Sequence, residues 1–271
     1  MSLTVAAAQA EAVAGDLHGN VRTAAGLVRE AGDAGARVVV LPETFLTGYD
    51  VGVFAGRLPD LADLPLDPLR EAARETGAVV VASSALEAKV DGHRVKTISS
   101  VVVQPDGAVD VPYDKQHLDG EEKQHFTAGD HGASIRLRGL ELGLSICYDG
   151  CFPEHARAAA DDGAVAYLSS SAYFVCGDHR RDLYYAARAV ENGMYVVFAG
   201  LTGRCGPSDF SGGSAVYDPE GRPLARLGTE PGVAVAELDT DVVTATRARH
   251  TMPADHRAGL GERRRLSSPR P

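Results

Sequence analysis

Three side chains of complementary chemistry stand where extended runs give way to loops: Glu43 in LPETFLTGY, Lys115 in YDKQHL and Cys147 in SICYDGCFPEH. A carboxylate, an ammonium and a thiol are sufficient for acyl transfer from an amide. The carboxylate takes the thiol proton, the thiolate attacks the carbonyl carbon, and the ammonium meets the developing oxyanion. That route needs no metal and no cofactor. Each residue taken singly has a plainer role: a Glu after a strand caps a helix or faces solvent, a lone cysteine packs as a small core residue, and a lone lysine sits on the surface. Spacing along the chain does not bring the three together.

The elements that would position them alternate. A strand is expected over 3–8 and a helix over 20–34, followed at once by RVVVL at 37–41, a continuous β-branched run of the kind covered on both faces. Further helices are expected over 67–76, 154–161 and 178–192, and further buried strands over 78–83, 141–147, 164–169 and 195–199. Hairpin signals interrupt this alternation at Asp91-Gly92, at Asp106-Gly107 and at Pro219-Glu220-Gly221. The sheets must therefore be mixed, and the lack of a Pro/Gly/Ser linker mid-chain favours one layered domain. In such sheets functional groups gather at strand ends, where Glu43 and Cys147 both fall.

Composition narrows the partners. The net charge of −10 and pI near 5.4 give no long-range attraction to nucleic acid or anionic membrane. No run approaches the roughly 20 apolar residues of a membrane span, and MSLTVAAAQAEAVAGD lacks the charged start and apolar block of a secretory signal. A cytoplasmic protein is expected, with Cys147, Cys151, Cys176 and Cys205 as free thiols. Their C-x3-C start and long later gaps fit no compact zinc site.

The three segments, in this order, resemble the signatures of the nitrilase superfamily of carbon-nitrogen hydrolases. The likeness continues through GEEKQHFTAGD, AARAVENGMYVV and FSGGSAVYDPEGRPLA, so it spans about residue 3 to about residue 240. The resemblance implies a four-layer αββα sandwich: two mixed β-sheets packed together and flanked by helices. It makes Glu43 the general base, Lys115 the oxyanion stabiliser and Cys147 the nucleophile, with the backbone N–H of Tyr148 as second oxyanion donor. Glu122, rather than its neighbour Glu121, matches the substrate-orienting glutamate. A homodimer or higher homo-oligomer is implied, through the helices after Cys147 and before Asn192. The family domain would occupy 1–245, leaving 246–271, with Arg263, Arg264 and Arg265, as a docked or disordered tail.

Within that superfamily, Tyr148 and Asp149 follow the nucleophile where true nitrilases carry Trp and Glu, which points to the amidase-like branch. Gly150 and Cys151 stand where N-carbamoyl amino acid hydrolases place arginines, and a substrate carboxylate loses its obvious partner there. LPETFLTGYD is most similar to amidases acting on amino-substituted aliphatic amides, with Asp149, Asp50 and Asp178 as acidic groups for an ammonium. Tyr49 and Tyr173 are the candidate pocket walls. The expected partner is a small-molecule amide. The alternatives are an N-carbamoyl amidohydrolase, a nitrilase, and a catalytically silent member acting as an interaction module.

Overall fold

Alternation along the strands decides the layering. Val38, Val39 and Val40 have no exposed surface at all; Val38 and Val40 belong to one apolar cluster and Val39 to another. A strand buried on both faces needs a layer above and a layer below.

The computed structural model describes residues 1–90, 92–257 and 259–267. β1 (Ser2–Gln9) leads through α1 (Leu17–Asp33) to β2 (Val38–Val40), then α2 (Val51–Ala55) and α3 (Asp67–Thr76) precede β3 (Val79–Val90), β4 (His93–Val103) and β5 (Val109–Asp114). The chain continues through β6 (Ser134–Leu137), β7 (Leu140–Ile146), α4 (Pro153–Asp161), β8 (Ala166–Ser171), α5 (Asp178–Asn192) and β9 (Tyr195–Gly200). It ends with β10 (Thr202–Cys205), β11 (Ser208–Ser211), β12 (Ala215–Tyr217), β13 (Pro223–Arg226), β14 (Gly232–Asp239) and α6 (Thr240–Arg249).

Two six-stranded sheets result, in the orders β14-β1-β2-β3-β4-β5 and β13-β12-β9-β8-β7-β6. Each has parallel pairs at its centre, β1-β2-β3 in one and β7-β8-β9 in the other, and antiparallel pairs outside them. Three apolar clusters fill the gaps between layers. Ala6, Val39 and Val80 meet α1 and α3 through Val28 and Leu69. Val5, Val40 and Val81 share the middle cluster with Leu144, Leu168 and Val197 of the other sheet. Tyr167, Val196 and Phe198 pack with Tyr185 and Ala189 of α5. This is the αββα sandwich, and burying each of the Val, Leu and Phe side chains among these contributes about 1.5–3 kcal/mol.

The differences from sequence expectation have local causes. α1 begins at Leu17 rather than 20 because the Asp16 side chain accepts from the Gly19 N–H at 2.9 Å and caps it there. β3 runs on past 83 to Val90 because it pairs antiparallel with all of β4. The strand expected to 147 stops at Ile146, since Cys147 leaves the extended region. Gly107 and Gly221, both at positive φ, turn β4 into β5 and β12 into β13, whereas Asp91 lies outside the described residues. The β10-β11 hairpin, β14 and α6 are additional to the elements expected from the sequence, and α6 runs across position 245.

Candidate active site

β7 delivers Cys147 and then the chain turns out of the sheet. Cys147 has a φ of 46°, a left-handed conformation that costs a non-glycine residue of order 1–3 kcal/mol. It opens a 3-10 turn over Cys147–Cys151. Three clamps hold that turn. The Tyr185 hydroxyl donates to the Cys147 carbonyl at 3.0 Å, Arg188 Nε–H donates to the Gly150 carbonyl at 3.1 Å, and Asp149 Oδ2 accepts from the Ile146 N–H at 3.0 Å. Gly150 is needed for this packing, because a Cβ there would stand 2.7 Å from the Tyr185 ring.

Asp149 also reaches a second segment. It is fully buried, and its Oδ2 accepts from the Tyr113 hydroxyl at 2.6 Å while its Oδ1 accepts from the His117 backbone N–H and meets His117 Nδ1, both at 2.9 Å. Burial opposes its charge, but the hydrogen bond from His117, the nearby His155 and the Tyr113 hydroxyl outweigh it and hold the carboxyl below its usual range. The Tyr113 hydroxyl in turn lies 2.8 Å from His155 Nε2, and His155 Nδ1 lies 2.8 Å from the Tyr167 hydroxyl. Burial pushes the His155 pKa down.

Tyr113, Lys115 and His117 recur at period two, which places them on one side of an extended chain. The extension continues past β5, since the Lys115 N–H donates to the Ile98 carbonyl at 2.8 Å. Between Tyr113 and His117, which grip Asp149, Lys115 reaches the carboxylates. Its Nζ donates to Glu43 Oε1 at 2.7 Å and lies 2.7 Å from each oxygen of Glu122. The side chains of Lys115 and Glu43 have no exposed surface. Glu122 is fixed further by the Tyr49 hydroxyl and the Asp119 N–H, each at 2.8 Å. Glu121 is exposed.

The Glu43 loop is held by both sheets: the Glu43 N–H donates to the Ser171 carbonyl at 3.3 Å, and the Thr44 N–H donates to Ser83 Oγ at 3.1 Å. Glu43 Oε2 is buried and has no hydrogen-bond partner among the described residues. Burial pushes the Glu43 pKa up to about 8, against the Lys115 charge, with Glu122 adding to the rise and the Cys147 thiol opposing it. Burial would neutralise Lys115, but the facing Glu43 and Glu122 overcome it and keep the ammonium charged. Burial and Glu43 raise the Cys147 thiol against the pull of Lys115, so the sulfur rests protonated. A protonated thiol beside an unpaired carboxylate oxygen and a fixed ammonium is the set that base-assisted acyl transfer requires.

Cys147 and Glu122 reach a cavity of about 380 Å³, with Tyr49, Tyr148 and Tyr173 in its walls. Glu43 and Lys115 lie behind that wall. Cys147 Sγ lies 3.8 Å from the Ala172 carbonyl oxygen. The Tyr148 N–H belongs to the first residues of its turn, which have no acceptor within it. Sequence reasoning missed Asp119, Phe174, Arg180 and Tyr184, which also line the cavity. Of the acidic groups named for an ammonium, Asp149 is consumed by its hydrogen bonds, Asp50 caps α2 by accepting from the Val53 N–H at 2.9 Å, and Asp178 lines a separate depression with Arg181 and Arg226. Asp119 is the acid at the cavity instead. An outward Asp in a loop gives no sequence signal. The period-two Tyr113-Lys115-His117 pattern did.

The carbon-nitrogen hydrolase family model matches residues 4–248. The chain belongs to the carbon-nitrogen hydrolase family. This hydrolase is 34% identical over 246 residues to an (R)-stereoselective amidase of a Pseudomonas species, covering 88% of this chain and 85% of the relative. It is also 34% identical to the 2-oxoglutaramate amidase of Bacillus subtilis, covering 75% of this chain and 78% of that one. Among solved structures, an amidase from Nesterenkonia sp. AN1 superposes with a TM-score of 0.79 at 32% identity, covering 91% of this chain and 97% of that chain. One structure of that amidase records Michael addition of acrylamide at its active-site cysteine.

Proposed function

We propose that this carbon-nitrogen hydrolase is an amidase, which converts a small aliphatic carboxamide, amino-substituted members included, to carboxylic acid and ammonia through a cysteine thioester. One observation carries the reading: the buried Lys115 ammonium lies 2.7 Å from Glu43 Oε1, beside a protonated Cys147 that opens on a cavity. Glu43 Oε2 takes the thiol proton as sulfur attacks the amide carbon. Lys115 and the Tyr148 N–H receive the oxyanion, and Glu43 returns the proton to the departing ammonia. Water then enters, Glu43 takes its proton, and the thioester opens to acid and free thiol. Glu122 orients Lys115, and Tyr49 and Tyr173 wall the acyl site.

The names of the three relatives described above, each an amidase, support the reaction class. We place the protein in the cytoplasm; no helix among the described residues is long and apolar enough to cross a membrane. A homodimer joined through α4 and α5 accords with Leu183 of α5, which is 68% exposed. The domain is taken as 1–245, with 246–271 beyond it as a segment of unassigned role whose first residues complete α6. Ammonia release across aliphatic amides, ω-amino amides, N-carbamoyl compounds and nitriles tests the assignment. Release from nitriles alone, or from N-carbamoyl compounds alone, overturns it.

A further inference from the structure

The charges deep in the site neutralise one another: Lys115 is engaged by Glu43 and Glu122. Two further charged side chains line the same cavity, Arg180 and Asp119, and both are exposed. The neighbouring arginines are committed elsewhere. Arg181 donates to Asp182, Ser211 and Gly212, Arg188 to Glu191 and Gly150, and Arg226 pairs with Asp182. Arg180 has no such partner among the described residues. Its guanidinium lies over Gly177 of the cavity wall, where an added Cβ would stand 3.7 Å from an Arg180 terminal nitrogen. The Asp119 N–H serves Glu122, and its side chain stands beside Cys151, whose thiol is raised by burial and, more weakly, by the Asp119 charge.

We propose that Arg180 and Asp119 form the outer subsite of this cavity and select an amide whose far end carries both a carboxylate and an ammonium, the side-chain amide of an α-amino acid. The inference rests on the amidase reading and names its substrate class. A far end bearing only a carboxylate meets Arg180 but faces Asp119; one bearing only an ammonium meets the reverse; an apolar end satisfies neither. A zwitterion satisfies both. The cavity, near the lower end of the roughly 300–1,000 Å³ range of small-molecule sites, suits a ligand short enough to present its amide to Cys147 while its far end stays at the rim. Position 151 carries Cys, so the guanidinium reaches the cavity from α5 instead.

Four amides that differ only at the far end form the test: glutamine, glutaramate, 4-aminobutanamide and butanamide. Each ion pair at a water-exposed rim is expected to be worth up to about tenfold in kcat/KM, so glutamine should lead and butanamide trail. Arg180→Gln should lower kcat/KM about tenfold more for glutamine and glutaramate than for 4-aminobutanamide. Asp119→Asn should lower it about tenfold more for glutamine and 4-aminobutanamide than for glutaramate. Butanamide turning over as well as glutamine, or either variant depressing all four amides alike, overturns the subsite and leaves the amidase reading standing. No ammonia from any of the four, with Cys147 still open to alkylation, overturns both.

Discussion

Asp149 Oδ1 accepts the backbone N–H of His117 at 2.9 Å, and this bond ties the turn behind Cys147 to the extended segment that carries Lys115. Cys147 and Lys115 come from different sheets, so their separation depends on such ties. Asp149→Asn replaces one acceptor oxygen with a donor that would face the donors of Tyr113 and Ile146 or of His117. Loosening the turn misplaces Cys147 relative to Lys115, and kcat should fall by roughly ten- to a hundredfold while KM changes less. Steady-state kinetics read beside a thermal melt decide it. A lower Tm with wild-type kcat would make Asp149 structural only.

Lys115→Ala should damage both activity and the fold. Losing an oxyanion donor typically costs about 3–4 kcal/mol in the transition state, and here the change also leaves Glu43 and Glu122 facing each other buried and without their cation. Breaking a buried pair costs about 3–5 kcal/mol of stability. Adding Glu43→Gln removes one of the stranded carboxyls, so the double variant should regain stability without regaining activity. Urea unfolding of the single and double variants measures this. Equal stability of the two would mean the carboxyls do not couple.

Glu43 is held up to about 8 by burial, and two pH effects follow. As a base it must be deprotonated, so kcat/KM should rise with pH to a plateau past about 8, and Glu43→Gln should lose the rate. Stability runs the other way. Between the ordinary value of 4.5 and about 8 the folded protein holds a proton that the unfolded chain has released, so its stability falls as pH climbs through that window. Glu43→Gln should therefore be less sensitive to pH there. Melts from pH 4 to 9 settle it, and parallel curves for both proteins would refute the raised pKa.

The layers were legible because each leaves a local mark, whereas Glu43, Lys115 and Cys147 stood out only as ends of extended runs and were joined into a proposed catalytic set by the family resemblance. A both-faces-buried strand reads as RVVVL, and a strand-end Cys or Glu sits beside a Pro or a helix start. What escaped notice depends on long-range approach. Arg180 is an ordinary polar residue in the first turn of α5 until the loop after β8 folds it over Gly177. Asp149 read as a charge for substrate, yet the Tyr113, Ile146 and His117 donors that consume it come partly from another sheet. Periodicity reports which face of an element is apolar, and it is silent on which polar groups from distant segments meet there.

The covalent intermediate separates this mechanism from direct attack of water on the amide. If Cys147 attacks, the acyl part of the substrate is carried on sulfur after ammonia has left and before water enters. Hydroxylamine added during turnover should intercept it as a hydroxamate, and rapid acid quench should show added mass confined to the peptide containing Cys147. Cys147→Ala should lower turnover by at least about a thousandfold, whereas Cys151→Ala, which alters only a cavity wall beside the Tyr173 hydroxyl, should do much less. Iodoacetamide should label Cys147 faster than buried Cys205, and substrate should protect it. Hydrolysis that survives Cys147→Ala, or hydroxamate formed by that variant, would exclude the thioester.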